Sequence, residues 1–267
     1  MITNIWRRKM TVVKPLLDHP VADWVYRRAT EQLSGRALSC AVNARNHLVR
    51  AQKIADADIS NTVAYFCATH ATEEAVAAFI ASVKKHGYRK LAGKVNIRDH
   101  AQKAVVSAYA QIISGHAQEL ALSVAHNPVA DDVLASVRIG GKETVRPLGL
   151  RLFSFNEHGE DPSSDAALDA FTSWFPDTAA MVERVHERAS FRDKALYAGD
   201  QGGPALSRQQ LDDGLREHTL LTLGLIWAAM DVTGHKKAEP FVVQVLGAIS
   251  AVIELVRPPK VCKHCGQ

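Results

Sequence analysis

Apolar residues recur at helical spacing through most of the chain, and the clearest case is about residues 59 to 85, where Val63, Phe66, Cys67, Ala77, Ile80 and Ala81 form one stripe. Extending it in steps of three and four passes through His70 and then Glu73 or Glu74, inside "ATHATEEAVAAFI". At least one ionisable group is therefore expected on a buried face. The segment before it, "GRALSCAVNARNHLVRAQKIADA", carries the stripe Leu38, Ala41, Arg45, Leu48, Gln52 and Ala55. The second helix should stop at "KKHGY", where basic residues precede a glycine. The connection between the two is short, so they should pack as an antiparallel hairpin.

A third helix is predicted in "IRDHAQKAVVSAYAQII", with Asp99 as its cap. From about residue 138 to 160 the pattern changes. Gly, Pro and alternating residues suit a loop or a short β-like insertion. Helical spacing returns in "FPDTAAMVERVHERAS", and again after Ser207, a candidate N-cap. An apolar helix from Phe241 closes the pattern before the tail "RPPKVCKHCGQ". The expected architecture is all-α: an N-terminal extension (1–35), one helical domain (36–257) with an insertion at about 138–165, and a Cys-x-x-Cys tail (258–267).

The chain has 267 residues, 47% of them hydrophobic, enough for a full core. Its 32 basic and 28 acidic residues leave a net charge of +4, which permits an acidic partner such as RNA without requiring one. The apolar stretch "PFVVQVLGAISAVIELV" is too short for a membrane span and contains Gln244 and Glu254. No apolar leader core precedes Asp18, His19 and Pro20, so a cytoplasmic protein with no membrane partner is expected. Cys40 and Cys67 lie in apolar helical stretches and should be reduced, buried thiols.

Buried charge needs partners. Arg45 on the first helix and His70, Glu73 and Glu74 on the second could satisfy one another across the hairpin. Alternatively, one glutamate faces solvent and the other makes an ordinary ion pair. His100, between Arg98 and Lys103, is a candidate general base or phosphate ligand; the alternative is a solvated helix start. A ferritin-like di-metal bundle wants Glu-x-x-His pairs on two helices, and the chain does not supply two. Cys262 and Cys265 form half of a zinc site at most. No cofactor is expected, and without a Gly-rich phosphate loop after a strand or a Gly-x-Ser-x-Gly elbow, nucleotide-triphosphate hydrolysis and serine hydrolysis are poorly supported.

Three segments resemble the AbiV-type abortive-infection proteins, a branch of the HEPN helical superfamily. They are "NARNHLVRAQKIADADISNTVAYFCATHATEEAVAAF", "IRDHAQKA" with its His-x-x-Lys, and "RDKALYAGDQGGP" with its Arg-x-x-x-Leu-Tyr and Gly/Pro turn. The resemblance implies a HEPN-like helical bundle in a cytoplasmic phage-defence protein that acts on RNA or the translation machinery. Many HEPN proteins are homodimeric, metal-independent ribonucleases with an Arg-x4-6-His motif. Here the strict matches to that motif, Arg151 to His158 and Arg257 to His264, fall in the middle loop and the tail and not at the expected helix, where Lys94 and Arg98 precede His100 instead.

On this reading His100 is the base, Arg98, Lys94 or Lys103 supply positive charge, and Arg45, His70, Glu73 and Glu74 hold the site. Tyr197 lines the cleft or plugs the core. Lys84, Lys85, Arg89, Lys90 and Lys94 are candidates for RNA contact. The alternative is a non-catalytic protein that blocks translation or senses a phage protein by contact.

Overall fold

The computed structural model describes residues 16–119, 121–139, 141–153, 164–196 and 205–257. Helix α1 (Pro20–Gln32) starts on His19, whose Nδ1 accepts from the Val21 N–H, with Pro20 in the first turn. It buries Ala22, Trp24, Val25, Tyr26 and Ala29 in the main core. Residues 20–32, expected in an extension, are thus part of the folded domain. Trp24 and Tyr26 are flanked by Asp23, Arg27 and Arg28, so their burial was not evident from composition.

Helices α2 (Gly35–Asp56) and α3 (Asn61–Lys85) form the expected hairpin. Their seam is built from alanines: Ala37, Ala41, Ala44, Ala51 and Ala55 with Leu48 on α2, and Ala64, Ala68, Ala71, Ala75 and Ala78 on α3. Small side chains let the backbones approach closely. α3 is capped by the Ser60 hydroxyl, which accepts from Val63 N–H, and it ends just before Gly87, whose φ of 92° only glycine adopts without strain.

After the short α4 (Arg89–Ala92), α5 (His100–Glu119) begins at Asp99, whose Oδ1 accepts from the N–H groups of Ala101 and Gln102. A three-stranded antiparallel sheet follows: β1 (Ser123–Asn127), β2 (Asp132–Ile139) and β3 (Lys142–Pro147), in that order. Ser123 pairs with Ser136, and Leu134 with Pro147. The β excursion therefore starts well before residue 138. The Ala-, Val- and Leu-rich strands β1 and β2 cannot be told from helix by composition or short-range period. Val133 anchors β2 in the core, while β3 is exposed throughout.

Helices α6 (Asp165–Thr172), α7 (Thr178–Leu196), α8 (Arg208–Asp231) and α9 (Pro240–Val256) complete the bundle. Ser207 caps α8 in a reciprocal capping box with Gln210. α9 is buried along most of its length, as its composition predicts, and among the described residues no helix is long and apolar enough to cross a membrane. The molecule is mostly helical, with α3 packed between α2 and α8, and α7 laid against α5 and α3.

Candidate functional site

Glu73 stands on the buried face of α3, 9% exposed. The Asp99 cap sets the start of α5 so that His100 and Lys103, one turn apart, share the face toward α3. Both reach Glu73. His100 Nδ1 lies 3.0 and 2.9 Å from the two carboxylate oxygens, and Lys103 Nζ donates to Oε2 at 2.6 Å. Burial alone would push the Glu73 carboxyl up. The charge and hydrogen bond of Lys103, followed by those of His100, outweigh burial and hold it below the usual carboxylate range. Lys103, 6% exposed, is thus committed to neutralising Glu73 and is a positioning residue, not a cation presented to a ligand.

His70, one turn before Glu73, places Nδ1 3.7 Å from Oε2. His47 of α2 meets the His70 ring edge-on at 4.5 Å, and Phe66 stacks with it at 5.8 Å. Burial, then the nearby charges of His70 and Arg50, lower the His47 pKa. A row His47, His70, Glu73, His100 therefore crosses three helices.

Arg45 does not close this network. It is exposed and lies over the Tyr26 ring of α1, 5.1 Å from its centroid. The sequence stripe through Arg45 is offset by one residue from the true seam through Ala44, and one residue is about 100° of helix. Alanines carry too little hydrophobic signal to reveal that offset. Glu74 leans the other way, 3.5 Å from Asn43 Nδ2, and its charge adds to burial in raising the Cys40 thiol pKa. Cys40 and Cys67 are buried free thiols, as expected.

The basic cluster is split. Lys84 donates to the Val95 carbonyl at 2.9 Å and Lys85 to the Ser34 hydroxyl at 2.8 Å, while Arg89, Lys90, Lys94 and Arg98 are exposed. Tyr197, Cys262, Cys265, His158 and His264 lie outside the described residues.

His100 lines an open cleft of about 490 Å³ between the start of α5 and α7. The α7 wall brings Glu183, His186, Glu187, Asp193 and Lys194, and Asp99 adds a further carboxylate. None of the α7 residues was singled out in the sequence, although Glu183 and His186 form a Glu-x-x-His pair on one helix face. Among the described residues no group of His, Cys, Asp and Glu is arranged to hold a metal ion.

No protein family, curated protein or solved structure matches this chain. The site therefore stands on its geometry.

Sequence reading also missed His218 on α8. It is fully enclosed, with Nδ1 2.9 Å from the Thr72 hydroxyl and Nε2 3.3 Å from that of Thr69. Burial, reinforced by the Arg188 charge, pushes its pKa down to about 3, so it is neutral. Its only sequence signal is a histidine within an apolar helical stripe, which any core histidine shares.

Proposed function

We propose that this chain is a phage-defence protein of the abortive-infection type that acts on the RNA of the translation machinery as a metal-independent, homodimeric ribonuclease, with His100 as its acid–base residue. One observation carries this reading: a buried carboxylate holds Nδ1 of an imidazole that lines an open cleft. Fixing Nδ1 on Glu73 orients the ring and assigns acid–base work to Nε2. In that role Nε2 takes the proton of a ribose 2′-hydroxyl. The 2′-oxygen bonds to phosphorus, the bond from phosphorus to the 5′-oxygen breaks, and the leaving oxygen takes a proton from an acid in the cleft, a role we assign to His186, which lines it. Lys194 is the cation available to the phosphate; Lys103 is spent on Glu73.

A second reading, a non-catalytic protein that blocks translation or engages a phage protein by contact, draws on the carboxylates of Asp99, Glu183, Glu187 and Asp193 around the cleft. They repel phosphate and suit a basic protein surface. Incubating total bacterial RNA with purified protein in chelator separates the two. The ribonuclease reading expects 2′,3′-cyclic phosphate ends and a loss of about a hundredfold or more in His100→Ala. If wild type does not cut while its expression still arrests translation, the contact reading replaces it.

A further inference from the structure

Glu187 and Lys194, which line the His100 cleft, also line a second cavity of about 240 Å³ between α3, α7 and α8. Its other walls are Tyr65 and Thr69 of α3, Arg184, Arg188 and Phe191 of α7, and the enclosed His218. The Arg188 side chain is 19% exposed. Its Nη1 donates to Gln111 at 2.8 Å, and Nη2 makes a long 3.4 Å contact with Glu217. A guanidinium carries five N–H donors in a rigid fork. Two of them are engaged by Gln111 and Glu217, and the same side chain lines the cavity. Beside it, Tyr65 and Phe191 meet edge-to-face at 4.8 Å and offer ring surface to the cavity.

The charge around this cavity selects the ligand. Arg184, Arg188 and Lys194 stand against Glu187 and the Glu217 bonded to Arg188, while His218 adds no charge. The balance is one excess cation. A phosphodiester carries one negative charge and a terminal phosphate close to two, so the match is an internal nucleotide of a strand. Aromatic surface next to cations is the arrangement that binds unpaired bases irrespective of sequence.

We propose that this cavity is a subsite for one nucleotide of a single-stranded RNA whose neighbouring unit lies in the His100 cleft, with the phosphodiester on Arg188 and Lys194 and the base against Tyr65 or Phe191. The assignment rests on RNA being the substrate of that cleft. It gives the strand a direction: along α7, through the residues that both cavities share.

The test is fluorescence anisotropy of a labelled, uncleavable 2′-O-methyl oligoribonucleotide with the full chain. Phe191→Leu and Arg188→Gln should each weaken binding roughly tenfold or more. Lys194→Gln, an exposed position that keeps the fold, should weaken it and flatten its salt dependence. Lys142→Gln, on the exposed strand β3 and outside both cavities, should bind as wild type does. Affinity indifferent to Phe191→Leu and Lys194→Gln overturns the subsite, even if RNA is still cut. Binding that depends on Phe191 in a protein that never cuts supports the subsite and sinks the nuclease. Uridine or adenosine monophosphate competing as well as the strand does would overturn the strand assignment in favour of a free nucleotide.

Discussion

At the scale of single residues, the Glu73–Lys103 pair couples stability to the site. Both groups are almost fully enclosed, so removing one charge strands the other. Glu73→Gln should cost about 3–5 kcal/mol in urea unfolding. Adding Lys103→Met should recover part of that loss, so the double variant will be less unstable than the sum of the singles. Because the folded Glu73 pKa is depressed, its contribution is complete above the ordinary carboxylate value of 4.5 and fades as pH drops through the lower folded value. His218 acts in a higher window. Its folded pKa of about 3 lies below the ordinary 6.5, so the unfolded chain takes up a proton that the folded chain refuses. Stability should therefore decline as pH falls from 6.5 toward 3, by at most about 1.4 kcal/mol per pH unit. His218→Gln should remove that part of the slope, which comparing wild-type and variant urea midpoints at about pH 7 and about pH 5 will reveal.

Two glycines of α8 separate packing from propensity at the scale of the helix. A Cβ on Gly214 would overlap the Tyr65 ring of α3, so α8 lies close to α3 because this position has no side chain. At Gly224 an added Cβ meets nothing within 4 Å. Gly214→Ala should destabilise by about 1–3 kcal/mol through overpacking, and Gly224→Ala should stabilise by up to about 1 kcal/mol through helix propensity. Paired thermal melts should move in opposite directions; melts that move together would mean α8 does not approach α3 this closely. The α3 to α8 contact also keeps Thr69 and Thr72 against His218 and forms the back wall of the proposed nucleotide cavity.

Across the whole molecule, four exposed cations stand outside the lining of the proposed acid–base site. Arg89, Lys90, Lys94 and Arg98 are exposed, whereas the His100 cleft is ringed by carboxylates. On the RNA reading, the exposed cations supply general affinity and the cleft supplies selection. Neutralising all four should weaken binding to total RNA and make its salt dependence shallower, while leaving the unfolding transition in place. A proposed homodimer predicts an unfolding temperature that rises with protein concentration, alongside a sedimentation coefficient above that of the monomer.

Local chemistry alone determined several features. The α2–α3 hairpin, the Asp99 and Ser207 caps, the stop before Gly87 and the buried α9 each depend on neighbours within a few residues, where period and side-chain type are decisive. The inward charge in "TEEA" was legible for the same reason. Its partners were not, because they come from an element about 27 residues away in the chain. The alanine seam hid the true face of α2 and so exchanged Arg45 for the bonds that Glu73 makes to His100 and Lys103. The cleft wall from α7, the enclosed His218 and the Arg188 cavity exist only once α7 and α8 pack on α3. Burial, and with it the protonation of His218 and the pairing of Lys103, is a property of the packed molecule that no stretch of sequence carries.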